Sequence, residues 1–202
     1  MVPRDPICHL NRALVLSRLG RLDPCLAALE RALALDPALR PAHHLRAQTL
    51  ARLGRVREAV PPWSRVIELE PRSFEARFGR AWCLLAIGHA GEALADFEEG
   101  LRLRPPPMEA AKAHCGRARC LSALGRYDEA LRAEDETDRL FPAHAALCGN
   151  RGSALIGLGR FDEAWKATER LGGNPVSQMS LRLSILRRQG RDEETRRFVR
   201  AH

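Results

Sequence analysis

Lysine, aromatic side chains and long apolar runs are scarce in this chain of 202 residues. Lys112 and Lys166 are its only lysines, so the net charge of +8 comes almost entirely from arginine. No stretch approaches the ~20 consecutive apolar residues that a membrane-spanning helix requires. Pro3 and Pro6 interrupt the N-terminal segment where a secretory signal would carry its apolar core. The sequence therefore predicts a cytoplasmic protein without a membrane association.

Motifs for catalysis, metals and cofactors are also missing. The chain has no G-x-x-x-x-G-K-[ST] phosphate loop and no G-x-G-x-x-G. Its six cysteines include no C-x-x-C pair, which favours reduced thiols. His144 and Cys148 lack a second ligand pair for zinc, and adjacent helical residues such as His114 and Cys115 point in different directions. We predict no catalytic residue, no metal site and no cofactor.

A glycine recurs after a Leu-rich segment at nearly constant spacing. The intervals between successive marker glycines are 34, 34, 37, 34 and 31 residues, for Gly20, Gly54, Gly88, Gly125, Gly159 and Gly190. The words that follow them are alike, as in GRVREAV, GRYDEAL and GRFDEAW. A proline follows 17 residues after four of the glycines, at positions 37, 71, 105 and 142. Such periods indicate stacked repeats.

Each period is predicted to form two helices joined by a tight turn. The segment before each glycine has apolar residues at helical spacing, and the glycine suits the left-handed conformation that ends a helix. A second amphipathic segment runs to the proline, which cannot continue it. Small residues recur where helices must approach closely: Ala13, Ala47, Ala81, Ala118 and Gly152 in the first helices, and Cys25, Ala59, Ala93, Ala130 and Ala164 in the second.

This period, with its small residues, its aromatic in GRYDEA and GRFDEA and its closing proline, resembles the tetratricopeptide repeat. The resemblance implies an all-α solenoid of helix–turn–helix repeats that winds into a right-handed superhelix. We place one domain over residues 1–202. Its repeats span about 6–39, 40–73, 74–110, 111–144 and 145–175, and a polar partial repeat at 176–202 is expected to cap the array.

Proline and glycine interrupt the pattern at three places. Pro105 to Pro107 precede a repeat with three extra residues, and Pro107 suits the start of the next helix. Pro61 and Pro62 fall inside a predicted helix, so either that helix kinks or residues 56–60 form a looser turn; we favour the kink. Gly172 and Gly173 are expected to end the second helix of the fifth repeat near Leu171.

An arginine occupies the same place in every repeat. We interpret this arginine ladder as repeat packing, in which each stem lies on a neighbouring helix and its head pairs with a carboxylate. Glu134 stands where most sister repeats have apolar residues, and we expect Arg151 to be its partner. The alternative is a basic surface for an anionic ligand. The ladder comprises Arg12, Arg46, Arg80, Arg117, Arg151 and Arg182.

The resemblance also implies a concave groove that is lined by the first helices and holds a peptide. By position, its lining residues are His44, Gln48, Phe78, Trp82, Lys112, Cys115, Arg119, Asn150 and Ser153, preceded by Asn11 and Leu14. Phe78 and Trp82 are expected to anchor an apolar side chain, while Lys112 and Arg119 attract acidic residues. Gly79, Gly116 and Gly149 are expected to leave room for the ligand backbone.

The predicted function is a non-enzymatic scaffold that holds a protein or peptide partner. Two alternatives remain open at this point. An arginine-rich solenoid could bind nucleic acid, which salt-dependent binding would reveal, although we regard nucleic acid as an unlikely partner. The repeats could also be the regulatory region of a larger enzyme.

Overall fold

The computed structural model describes residues 5–141, 150–169 and 175–201, and these residues form α-helices connected by short turns. Within this part of the chain there is no strand. The helices, numbered in chain order, are α1 (Pro6–Arg18), α2 (Leu22–Leu35), α3 (Arg40–Arg52), α4 (Val56–Leu69), α5 (Phe74–Ala86), α6 (Ala90–Arg102), α7 (Pro107–Ala123), α8 (Tyr127–Leu140), α9 (Asn150–Gly157), α10 (Phe161–Glu169), α11 (Pro175–Arg188) and α12 (Asp192–Ala201). The all-α helical-repeat prediction is confirmed.

The turn inside each repeat is the one that the marker glycines predict. All six glycines have positive φ, between 68° and 87°. At the first of them, the amide of Arg21 donates to the carbonyl of Leu16 at 2.9 Å, and the amide of Gly20 donates to Ser17 at 3.1 Å. These two bonds satisfy carbonyls that the end of α1 would otherwise leave unpaired. The glycine therefore reverses the chain within two residues and sets the helical hairpin.

Contacts between helices follow the order of the chain within two compact units, residues 1–103 and 104–202. In unit 1, α2 packs between α1 and α3, and α4 packs between α3 and α5. In unit 2, α8 contacts both α7 and α9, and α10 contacts α9 and α11. Within each unit, a second helix therefore covers the first helix that follows it, as a solenoid requires. That the two units form one domain remains a prediction.

Small side chains occupy the close approaches as predicted. Ala13, Ala47, Ala81 and Ala118 of the first helices have no exposed surface. The same holds for the second-helix series: Cys25, Ala59, Ala93, Ala130 and Ala164. A larger side chain at these sites would separate helix axes that pack 8–10 Å apart.

The prolines have different effects at different places. Pro107 is the first residue of α7, as predicted. Pro61 and Pro62 lie inside α4, which begins at Val56, so the alternative of a looser turn over residues 56–60 is wrong and the kink stays a prediction. The predicted end of the fifth repeat's second helix near Leu171 lies outside the described residues.

Candidate functional site

One position of the repeat supplies the buried side chains that contact the predicted groove residues. It is the ninth residue after a marker glycine, on the second helix, and we call its members in the first five repeats the core row: Leu29, Trp63, Phe97, Glu134 and Thr168. Every member is buried, with at most 4% of its surface exposed. Unit 1 fills the row with apolar and aromatic side chains, whereas unit 2 fills it with a carboxyl and a hydroxyl group.

An aromatic cluster stands over the core row in unit 1. The ring centroids of Phe78 and Trp82 are 5.9 Å apart, and they lie 5.8 Å and 5.3 Å from the ring of Phe97. All three pairs meet edge to face, the arrangement that aromatic quadrupoles favour. Phe97 is 1% exposed, while Phe78 and Trp82 are half-buried. The buried ring of Phe97 therefore holds both predicted anchor residues in place, and each of them keeps part of its surface accessible.

His44 and Gln48 form the next part of the predicted groove, on α3. The amide Nε2 of Gln48 donates to Nε2 of His44 at 2.9 Å, and the imidazole meets the ring of Trp63 edge to face at 4.9 Å. Burial, followed by the nearby charge of Arg40, lowers the pKa of His44. The imidazole is therefore a neutral acceptor at pH 7, and Gln48 remains exposed.

Gly79 serves the core rather than a ligand. A Cβ atom built on it would lie 2.5 Å from Cε2 and Cζ2 of Trp63. The missing side chain thus admits the indole between α4 and α5, and the expectation that Gly79 leaves room for a ligand backbone is wrong. Gly149 lies outside the described residues.

The predicted groove residues of unit 2 are more polar and less uniformly placed. Lys112 is half-buried and donates to the carboxylate of Glu109, one turn earlier on α7, at 2.9 Å. Arg119 and Ser153 are exposed, whereas Cys115 is buried at 6% exposure. Cys115 is disulfide-bonded, so the prediction of reduced cysteines is wrong at this position. Cys8, Cys25, Cys83 and Cys120 are free thiols.

Asn150 and Arg151 hold two adjacent carboxylates of α8. Nδ2 of Asn150 donates to Oε1 of Glu134 at 3.1 Å, and Nη1 of Arg151 donates to Oδ1 of Asp135 at 2.6 Å. The expected Glu134–Arg151 pair is therefore wrong, because the guanidinium takes the more exposed neighbour. Burial raises the pKa of Glu134 to about 7, despite the hydrogen bond from Asn150 that lowers it.

The arginine ladder packs repeats together, as we interpreted it, at the three members with described contacts. Arg80 forms two 2.7 Å bonds with Asp96, which is 4% exposed, and one 3.0 Å bond with Ser64. Arg151 bonds Asp135, and Arg182 donates to Thr168 at 3.0 Å while lying 5.0 Å from the ring of Trp165. These contacts occupy three of the six guanidinium groups that a basic surface for nucleic acid would need free.

A second regular pairing escaped the sequence analysis. The residue after the marker glycine pairs with a glutamate three residues later, at the start of the second helix. The pairs are Arg55–Glu58, Arg126–Glu129, Arg160–Glu163, Arg191–Glu194 and His89–Glu92. The signal was present in the repeated words GRVREAV and GRFDEAW. These pairs are exposed, so each contributes little stability.

A cleft of about 500 Å³ also opens between α2, α3 and α4. Its walls carry three arginines, three carboxylates and both helix-interior prolines: Asp23, Glu30, Arg46, Arg55, Glu58, Pro61, Pro62 and Arg65 among others. The charges balance in sign, and Arg55 and Glu58 pair with each other at 2.5 Å. The cleft therefore has no strong preference for one sign of charge.

Metal ligands do not converge anywhere in the described parts of the chain, where no cluster of three His, Cys, Asp or Glu side chains has a suitable arrangement. The His144 and Cys148 pair lies outside those parts. Among residues 5–141, 150–169 and 175–201, no helix combines the length and apolarity needed to cross a membrane.

Comparison with known families agrees with the helical hairpins and their glycine turns. Two models described as tetratricopeptide repeat match the chain, one over residues 44–106 and 88–145 and the other over 8–39. The chain belongs to the tetratricopeptide repeat family. A comparison with curated protein sequences found no match.

Solved structures of tetratricopeptide repeat proteins have the same fold. YrrB, described as having an unusual peptide-binding site, has 19% identity and a TM-score of 0.75, over 88% of this chain and 91% of YrrB. MamA from Desulfovibrio magneticus has 20% identity and a TM-score of 0.72, over 90% of this chain and 96% of that one. A Parabacteroides merdae protein has 19% identity and a TM-score of 0.72, over 97% and 77%.

Membership of this family gives the function in outline. Tetratricopeptide repeat proteins are generally non-catalytic scaffolds for interactions between proteins, and this chain has their repeats and their fold. The partner is thus expected to be a protein or a peptide.

Proposed function

We propose that the first helices α3 and α5 bind an extended or helical segment of a partner protein through Phe78 and Trp82. The observation that carries this proposal is the aromatic cluster, in which buried Phe97 supports two half-buried rings. Rigid, partly exposed aromatic residues are the type that contributes most to binding energy at protein interfaces. YrrB, which has the same fold, is described as binding a peptide.

Polar groups beside the cluster suit a peptide backbone. The side chain of Gln48 is exposed, and its amide oxygen is free to accept while Nε2 donates to neutral His44. An amide that is already held in place loses less conformational entropy on binding.

Within unit 2, basic residues on α7 are suited to acidic residues of a partner. Lys112 has its ammonium group 2.9 Å from Glu109, a half-buried pair within one helix turn that a competing carboxylate can displace. Arg119 is exposed on the same helix, seven residues further on. We therefore propose that unit 1 takes an apolar anchor and that unit 2 attracts acidic residues of a partner.

A selection of random peptides displayed on phage against the purified full chain tests this proposal. We expect recovered peptides with an aromatic or aliphatic anchor, and others with Asp or Glu. In titrations with one synthetic peptide of the first kind, Trp82→Ala should weaken binding by roughly 30-fold, which corresponds to a 2 kcal/mol hot spot. In titrations with one peptide of the second kind, Lys112→Glu should weaken binding by several fold and reduce its salt dependence.

Leu35→Ala provides a matched control, because Leu35 is a large apolar side chain with 46% exposure on a second helix. It should leave the affinity unchanged. Peptides without an apolar anchor, or equal affinity of the wild type and Trp82→Ala, would refute the groove proposal.

A further inference from the structure

Among the residues that the structure describes, no helix covers the face of α1 that carries Asn11, Arg12 and Val15, although its counterparts in later repeats are covered. We call these three residues, with Cys8, the α1 outer face. All four are exposed, and Val15 is exposed at 57%. The counterparts of Val15 are Thr49, Cys83, Cys120, Ala154 and Ile185, which stand five residues before their own marker glycines and are at most 4% exposed. The outer face is thus an uncovered repeat interface.

Contacts inside the chain show what covers this face elsewhere. The hydroxyl of Thr49 lies 3.6 Å from the sulfur of Cys25 on the preceding second helix. Arg80 and Arg182 likewise donate to Ser64 and Thr168 on the second helices before them. The surface that fits the α1 outer face is therefore that of an amphipathic helix with a hydrogen-bond acceptor opposite Arg12.

The pair Asn11–Arg12 defines that acceptor further. Among the six repeats, Asn followed by Arg occurs at this place in only one other, as Asn150–Arg151. That second pair holds the adjacent carboxylates Glu134 and Asp135 of α8, at 3.1 Å and 2.6 Å. Within the described residues, neither Asn11 nor Arg12 has a side-chain partner. Because Asn11 and Arg12 are exposed and have the same spacing as Asn150 and Arg151, they are suited to a consecutive Glu and Asp on another helix.

We infer that the α1 outer face docks an acidic amphipathic helix of a partner protein, which places consecutive Glu and Asp residues against Asn11 and Arg12. The apolar stripe of that helix covers Val15 and Cys8, as second helices cover Thr49 and Ala42 within the chain. This site is separate from the groove residues of α3 and α5, so binding at either can fail without the other.

A peptide with the sequence of α8, YDEALRAEDETDRL, is the direct probe. A hydrocarbon staple between positions 128 and 132, both exposed in α8, keeps it helical, because a free helix of this length is marginal in water. Fluorescence anisotropy with the full chain should show saturable binding. Arg12→Glu and Val15→Asp should each weaken it at least about tenfold, the effect of losing one charge-assisted bond or one apolar contact.

Matched variants separate this site from general charge effects. Arg31→Glu changes the same charge at an exposed residue of α2 and should leave the affinity within about twofold. Trp82→Ala, on the groove, should also have no effect. A peptide with Asp135→Arg should bind poorly to the wild type and recover affinity for Arg12→Glu, which tests the contact itself. Thermal denaturation, monitored by circular dichroism, checks that each variant is folded.

Three results would overturn the inference. They are no saturable binding of the stapled peptide, equal affinity of the wild type and Arg12→Glu, or no recovery with the charge-reversed pair. A dimer that Val15→Asp dissociates in sedimentation experiments, without peptide binding, would assign the face to a second copy of the chain and would also overturn it.

Discussion

Units 1 and 2 are built from the same helical hairpins but differ in the side chains of the core row. In unit 1 the row contains Leu29, Trp63 and Phe97, and neighbouring rings pack on the two aromatic members. In unit 2 it contains Glu134 and Thr168, which hydrogen-bond to Asn150 and Arg182. Apolar packing is insensitive to pH, whereas a buried carboxyl is not. The stability of unit 2 is therefore expected to depend on pH more than that of unit 1, although both consist of the same helical hairpins.

The comparison also explains why unit 1 carries the better candidate surface. A ring that packs against another, buried ring loses little conformational freedom on binding. In unit 2 the amide of Asn150 is already committed to Glu134 and Cys115, so this predicted groove residue serves the repeat interface first.

Truncation of the aromatic row should have the largest effect. Phe97→Ala removes a ring that is 1% exposed and supports both Phe78 and Trp82. We expect it to lower the free energy of unfolding by about 3–5 kcal/mol, measured by urea denaturation at constant pH. Leu35→Ala, at an exposed site, should cost less than about 1 kcal/mol. Similar losses for the two variants would contradict the role of the row.

A rise in pH should weaken unit 2 through Glu134. Its pKa in the folded state is raised to about 7 from an ordinary 4.5, so the folded state binds the proton more tightly than the unfolded state does. The stabilisation is complete below pH 4.5 and is lost as the pH rises through 7, by up to about 3 kcal/mol. Denaturation at pH 5 to 8, with hydrogen exchange to locate the effect, measures it.

The isosteric variant Glu134→Gln is the control for this prediction, since it keeps the shape and an acceptor for Asn150 but cannot ionise. Its stability should change much less over the same pH range. An equal pH dependence in the variant would assign the effect to another group.

Ion pairs that differ in burial give a smaller effect. Asp96 is buried and holds Arg80 by two bonds, whereas the side chain of Asp135 is 60% exposed where it meets Arg151. We expect Asp96→Ala to cost about 2–3 kcal/mol, because it leaves a half-buried guanidinium without its carboxylate. Asp135→Ala should cost less than about 1 kcal/mol. Thermal denaturation of both variants tests this order, and a reversed order would refute it.

Much of the repeat geometry followed from local chemistry. The marker glycines predicted the left-handed turns because only glycine adopts them without steric cost, and Pro107 predicted the start of α7 because its fixed φ suits the first helical turn. The small-residue series predicted the buried contacts between helices. The repeated Arg-x-x-Glu pattern also indicates the ion pairs at the starts of the second helices, which were not predicted.

The candidate site was only partly accessible to such reasoning. Position within the repeat selected Phe78 and Trp82, but it did not reveal that Gly79 accommodates the indole of Trp63. It also paired Glu134 with the wrong residue, because Asn150 and Arg151 are neighbours on one helix and both can reach α8. Which side chain pairs with which carboxylate depends on how α9 packs against α8.

By itself, the sequence determined the helices, their turns and the order in which they pack, because these depend on periodicity and on the conformational limits of glycine and proline. The tertiary structure alone decided which polar groups are buried together and which face of α1 is left exposed by the other described helices. Those properties arise where different repeats meet, and no single repeat contains the distances, the burial or the competing partners that set them.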